Sequence, residues 1–209
     1  MAITERHGFD DTTTALLWTD TTWSWSASYW DWVRAWSTAC GSPNRLSFTD
    51  TSNVEPWSNE SFTARFAFKH TATTTFMAWF VTRSSAWTNT HISMYPWRSS
   101  AGQFWFQIEV SWSGNTCTAS WVNTWYWNTV HWVRHISDGK LRLYINGDLE
   151  NEITLTVTGA IANVNSNWFG ALSSSNYYSG GIDEFKFDKW NWWSHWQVKT
   201  DYAFIKWFM

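Results

Sequence analysis

Two histidines four residues apart, His131 and His135 in "HWVRH", are the first side chains whose type and spacing invite a chemical reading. On a helix they would share a face and could chelate one metal ion. The residues around them alternate as in a strand, where positions i and i+4 stand about 13 Å apart. Chelation of one ion is therefore excluded, and both are expected to be strand-face histidines. Two other segments carry a different chemistry. "SSSNYYSGG", Ser173 to Gly181, offers Asn176, Tyr177 and Tyr178, and "YPWRSS" offers Tyr95, Trp97 and Arg98. Carbohydrate recognition needs flat aromatic faces against the C–H groups of a sugar ring and a few polar groups for its hydroxyls. Asn176, Tyr177, Tyr178, Trp97 and Arg98 are the candidate carbohydrate-binding residues on this basis. No His-Glu-x-x-His, phosphate-loop or nucleophile-elbow motif occurs. Cys40 and Cys117 fit no metal or redox spacing and leave two alternatives, one disulfide or two buried thiols.

These side chains need a scaffold, and composition bounds it. A chain of 209 residues suits one undivided β domain with a sizeable core. Fourteen Lys and Arg against 17 Asp and Glu give a net charge of −3, and no basic block interleaves with aromatics. Nucleic acid is excluded as a partner by that balance. The opening "MAITERHGFDDTTTALLW" has acids and polar residues where a secretion signal needs an apolar run. The longest unbroken apolar run, "FMAWFV" from Phe76 to Val81, falls far short of the about 20 residues that span a bilayer. A soluble chain without a classical signal peptide is expected, with no lipid anchor and no membrane insertion.

Tryptophan is the anomaly, outnumbering glycine by 22 to 10. It recurs where loops want small residues, as in "TTWSWSASYWDWVRAW". Two accounts compete: an aromatic surface adapted to ligands or neighbours, and a reassigned codon read with the wrong table.

Period-two alternation recurs along the chain, and no long segment repeats at 3.6. In "FTARFAFK", Phe62, Ala64, Phe66 and Phe68 fall on one face, opposite Thr63, Arg65 and Lys69. "QFWFQIEV" alternates likewise, and "FMAWFV", apolar on both faces, suits a central strand. From His131 to Val157 three strands follow one another, the second on Leu141, Leu143 and Ile145, the third on Ile153, Leu155 and Val157. Asp138-Gly139 and Asn146-Gly147 are the tight turns between them. The tail after residue 190 reads as an extra strand around "YAFIKWF" or as an arm that packs on a neighbour.

"NTVHWVRHISDGKLRLYINGDLE" resembles the core signature of laminin-G-like domains in the concanavalin A-like lectin/glucanase superfamily. "SFTARFAFKH", "GGIDEFKF" and "TTTALLWTD" are similar to that family's early, closing and opening strands, in the same order. The resemblance covers residues 12–190, leaving 1–11 and 191–209 as arms. It implies a jelly-roll sandwich of two antiparallel sheets, used for binding or adhesion, of the type found in phage virion and tail proteins. It also implies a calcium at the sandwich edge, for which Asp20 and Asp183 are the matching positions. Calcium takes about six to eight oxygens, so two carboxylates would need carbonyls and water to complete the shell. The related glucanases hydrolyse with paired carboxylates about 5–5.5 Å apart when retaining. Glu109 stands alone on its strand, and Asp183 and Glu184, being adjacent, point to opposite faces. A non-enzymatic virion component, contacting other subunits or itself, is the expected function. The alternative is a lectin-like module for host or environmental glycans, at a virion or extracellular surface.

With two matching carboxylates, calcium removal should lower the melting temperature only modestly; unfolding in chelator would reveal a fuller site. Intact mass separates the two accounts of tryptophan. A mass of 24.6 kDa, with peptides confirming Trp192 and Trp193, establishes the aromatic surface, whereas a lower mass establishes the codon error.

Overall fold

The computed structural model describes residues 5–7, 38–40, 46–48, 60–70, 80–84, 90–96, 104–110, 113–119, 126–156, 164–169, 180–189 and 191–207. The strands, numbered in chain order, form two sheets. The seven-stranded sheet holds β1 (Glu5–His7), β2 (Thr38–Cys40), β4 (Phe62–His70), β9 (Trp127–His135), β10 (Lys140–Ile145), β11 (Asp148–Thr154) and β13 (Gly180–Lys189). Its order is β1-β13-β4-β9-β10-β11, with β2 also on β13. The six-stranded sheet holds β3 (Leu46–Phe48), β5 (Phe80–Ser84), β6 (Thr90–Pro96), β7 (Phe104–Val110), β8 (Ser113–Ala119) and β12 (Val164–Phe169). Its order is β3-β12-β5-β6-β7-β8. The described pairings are antiparallel. β13 lies between β1 and β4, and β12 between β3 and β5, the return of late strands beside early ones that defines a jelly-roll sandwich.

Alternation places the core. Phe62, Ala64 and Phe66 on β4 stand opposite Arg134, Trp132 and Val130 on β9, which face Leu141, Leu143 and Ile145 on β10. All are buried. Phe62 meets Trp132 edge to face, with ring centroids 5.5 Å apart. β8 of the other sheet closes over this face with buried Asn115, Cys117 and Ala119. Asn115 Oδ1 accepts the Thr156 N–H at 2.7 Å, and Asn151 Nδ2 donates to the Thr118 carbonyl at 2.8 Å, joining the sheets at one edge. Cys117 is a free thiol in the core, and burial pushes it up to about 12.

The meander forms as read, with two differences in its turns. Asn146 and Gly147 have φ of 51° and 82°, as a two-residue hairpin turn requires. Asn146 Oδ1 also accepts the Thr129 N–H at 2.9 Å, tying the turn back to β9. Because that turn is so tight, β11 begins at Asp148, earlier than the apolar run Ile153 to Val157 suggested. At the other turn only Gly139 takes positive φ, and its N–H reaches the Ile136 carbonyl at 3.0 Å. The link is a four-residue loop, Ile136 to Gly139, not a two-residue one.

The second face of β4 departs from expectation. Thr63, Arg65 and Ala67 are buried, although the pattern called for a solvated face. The cause is the tail, which is neither a strand nor a free arm. Residues His195–Lys206 form helix α1. Ser194 caps it: its Oγ accepts the Gln197 N–H at 3.3 Å, and the Gln197 side chain accepts the Ser194 N–H at 2.8 Å. The segment before the helix is stapled to the outer face of the large sheet. The Thr63 hydroxyl accepts the Trp193 N–H at 2.9 Å and donates to the Asn191 carbonyl at 3.3 Å. The Trp193 indole N–H donates to buried Asp188 at 2.8 Å. Val133, Tyr144, Trp193 and Val198 form an outer apolar cluster.

At the centre of this contact Asp201 of α1 meets the sheet's charges. His131 Nε2 lies 2.9 Å from Asp201 Oδ2, with Arg65 Nε at 3.6 Å and Lys186 Nζ 3.7 Å from Oδ1. Arg65 Nη2 in turn lies 3.7 Å from Glu184 Oε2. Burial works to raise the Asp201 carboxyl, but the His131 hydrogen bond and the charges of Arg65 and Lys186 outweigh it and hold it at about 2. Burial pushes His131 down, so the imidazole is neutral and Nε2–H is the donor. Glu184 has φ of 51° in a bulge of β13, where register shifts between Asp183 and Lys186. That bulge breaks the alternation by which Asp183 and Glu184 were assigned to opposite faces.

Two outcomes follow from this packing. A Cβ at Gly147 would lie 2.7 Å from Tyr202 Cδ1 of α1, at a φ that disfavours any side chain, whereas one at Gly139 meets nothing within 4 Å. Gly147→Ala should therefore cost about 1–3 kcal/mol in denaturant unfolding, more than Gly139→Ala. Stability should also fall with acid. The folded pKa of His131 lies below the unfolded 6.5, so its contribution is complete above that pH and is lost as pH drops below it. The Asp201 contribution holds above 3.8 and is lost toward about 2. Thermal melts from pH 7.5 to 5 should show a falling midpoint, and His131→Gln, which keeps a donor but does not titrate there, should flatten that slope.

Candidate functional site

Most residues singled out from the sequence lie outside the described part of the structure. Asp20, Trp97, Arg98, Asn176, Tyr177 and Tyr178 do so. Asp183 lies on β13 opposite Ala67, with its side chain likewise outside that part. Tyr95 is a position of β6. Among the described residues no group of three or more His, Cys, Asp or Glu is arranged to hold a metal ion. His131 and His135 stand on one strand with separate partners, as their spacing required.

The polar chemistry that the structure does bring together lies on the outer face of the large sheet, beyond the end of α1. Cross-strand register aligns His135, Lys140 and Thr154 in one row, and Val133, Arg142 and Glu152 in the next. Paired positions on one face hold their Cβ atoms about 4.5–5.5 Å apart, so these side chains interact. Arg142 Nε donates to Glu152 Oε2 at 2.6 Å, and Lys140 Nζ lies 3.3 Å from Glu152 Oε1. The loop adds Asp138, whose Oδ2 accepts Arg142 Nη2 at 2.6 Å and lies 2.8 Å from His135 Nδ1. The Ser137 hydroxyl meets His135 Nε2 at 2.6 Å.

One aromatic ring flanks this polar shelf. Trp192 stacks on His135 with centroids 3.8 Å apart and planes 19° from parallel. Trp192 as a whole residue is 42% exposed. His135 covers one face of the ring, which leaves the opposite face and the rim as the sides on which the ring can meet a ligand.

The electrostatics argue against acid–base chemistry here. Hydrogen bonding to Arg142 is the main cause that holds Glu152 below the usual carboxylate range. Burial works to raise Asp138, but hydrogen bonds from Arg142 and His135 bring it below that range as well. A glycosidic general acid needs the reverse, a carboxyl held protonated near neutrality. The sequence reading found no strand with acids at even spacing, and β11 corrects it with Asp148, Glu150 and Glu152. A bulge sets Leu149 opposite Tyr144 and Asn151 opposite Leu143 and leaves Glu150 unpaired in the ladder, so Asp148, opposite Ile145, and Glu152, opposite Arg142, fall on different faces.

Sequence reasoning placed neither Arg142 nor Trp192 among the candidate binding residues. The opposed charges of Arg142 and Glu152 across a readable hairpin were the available signal. Nothing local in the sequence places Trp192 on His135.

Comparison with known proteins adds the fold's company. No family profile matches the chain, and no curated protein sequence is similar to it. Solved structures do match. Domain 4 of AbnA, a GH43 extracellular arabinanase from Geobacillus stearothermophilus, solved with arabinotriose, superposes with a TM-score of 0.73 at 18% identity, over 96% of this chain and 98% of that one. The CBM40 of Ruminococcus gnavus IT-sialidase, bound to alpha2,3 sialyllactose, matches with a TM-score of 0.58 at 15% identity, over 68% of this chain and 83% of that one. The binding domain of botulinum neurotoxin serotype G matches with a TM-score of 0.62 at 10% identity, over 77% of this chain; the chain spans 40% of that domain's length. At these identities the likeness establishes the fold, a β-sandwich shared with carbohydrate-binding domains.

Proposed function

We propose that the chain is a lectin-like carbohydrate-binding module with no hydrolytic activity of its own. The observation that carries this is the end-to-end likeness to domain 4 of the arabinanase, a separate domain of matching size solved with an oligosaccharide. The depressed carboxyls of Asp138 and Glu152 support the absence of catalysis. The laminin-G-like signature supports placing the module in the concanavalin A-like superfamily. Trp97 and Arg98, and Asn176, Tyr177 and Tyr178, remain the proposed glycan contacts read from sequence. Asp20 and Asp183 remain the proposed calcium positions.

A second role has its own support. The outward face of α1 shows Trp196, Phe204 and Trp207, at 73%, 54% and 86% exposure. Exposed aromatic clusters of this kind mark contact with partners. That favours a subunit of a larger assembly, such as a virion decoration, fibre or tail component, with glycan binding as its adhesive function.

The purified chain should retain oligosaccharides on a glycan array and release no reducing sugar from any polysaccharide tested. Sedimentation should show self-association. Cleavage of a glycan by a monodisperse monomer would refute both roles.

A further inference from the structure

We propose that the shelf formed by Trp192, His135, Asp138, Lys140, Arg142 and Glu152 is a subsite for a neutral sugar ring. This assignment rests on the glycan-binding function proposed above and adds the place and the class of sugar. The open face of Trp192 offers an apolar plate held in one orientation by the stacked His135 ring. A pyranose or furanose presents C–H groups to such a plate and hydroxyls around its rim.

Hydrogen-bonding capacity beside the plate is unspent. A carboxylate has about four acceptor positions and a lysine ammonium three donors. Each Glu152 oxygen contacts one cation, Oε2 with Arg142 at 2.6 Å and Oε1 with Lys140 at 3.3 Å. Lys140 Nζ also donates to Thr154 Oγ1 at 3.3 Å, leaving a third proton for a ligand. Adjacent hydroxyls of a sugar, each donor and acceptor, match acceptors and donors placed in this way. Lys140 lies directly opposite His135 in the ladder, so the polar row begins beside the indole.

Charge selects the class. Lys140 and Arg142 are balanced by Asp138 and Glu152 through contacts of 2.6 to 3.3 Å. An acidic sugar could recruit those cations only by displacing carboxylates that already hold them. Hydroxyls ask for no such exchange, and a neutral ring is therefore favoured over a sialylated one.

Titration calorimetry of the full chain with lactose, cellotriose, maltotriose, arabinotriose and 3′-sialyllactose tests this. At least one neutral sugar should bind, and lactose should not be weaker than 3′-sialyllactose. Trp192→Ala should weaken neutral binding roughly tenfold, about 1.4 kcal/mol. Trp192→Phe should retain most of it, which separates loss of the plate from misfolding. Trp196→Ala, on the exposed face of α1, should bind as the unaltered chain does. Glu152→Gln, which leaves the shelf net positive, should shift preference toward 3′-sialyllactose. Undiminished neutral binding by folded Trp192→Ala would overturn the subsite while leaving the glycan-binding function standing. An array-positive chain that binds only 3′-sialyllactose would overturn the neutral class. Failure of the unaltered chain on both the array and this panel would overturn the subsite and the function together.

Discussion

The contact between Asp201 and His131 is the constraint on which the outer half of the molecule depends. A carboxylate and an imidazole meet at 2.9 Å between helix α1 and the middle of the large sheet, with Arg65 and Lys186 closing the shell. Charges buried together hold only when every partner is in place; removing one leaves an uncompensated group, at a cost of about 3–5 kcal/mol. The apolar contacts of Val198 and Trp193 supply attraction without direction. The charged contact fixes which turn of the helix sits over which strand. It converts a two-layer sandwich into three layers over part of its area.

That extra layer decides what remains accessible. Trp193 and α1 cover the sheet as far as Val133 and Tyr144. Trp192, immediately before, turns outward and stacks on His135. One tryptophan is a core residue and its neighbour a surface plate. The difference arises because the Thr63 hydroxyl takes the Trp193 backbone N–H and Asp188 its indole N–H. The edge of the added layer and the open charged rows of β10 and β11 meet at this point.

The sequence made the sandwich readable because antiparallel strands write their period directly into residue types. Leu141, Leu143 and Ile145 are buried on one face, and the two glycine turns lie where positive φ was required. The helix was not readable by the same means. Its sheet-facing positions include buried Val198 and Ile205 and half-buried Asp201, and a carboxylate in the middle of that set erases the hydrophobic repeat. The capping signature Ser194-x-x-Gln197 was legible and would have located its start. Arg65 shows a related limit: alternation places it on the face away from the core, but not the polar cover that buries it there. The shelf was half legible. Its charged members lie on a hairpin whose register the turns set, while Trp192 arrives from a segment placed only by tertiary contacts. The residues chosen for carbohydrate contact were selected on their chemistry alone.

The interleaved strand order has a kinetic consequence. β4 finds β9 only across more than half a hundred intervening residues, and β13 must then insert between β1 and β4. In the other sheet β12 completes the gap between β3 and β5. Until residues 164–189 are available, both sheets expose unpaired backbone edges along strands rich in Phe and Val. Non-local pairing of this sort folds slowly, and open apolar edges recruit other copies while they wait. The His131–Asp201 contact cannot help at that stage, because it forms on a sheet already assembled. Nascent chains of this topology therefore face their greatest hazard before the last two strands dock, and crowding by sister chains during assembly sharpens it.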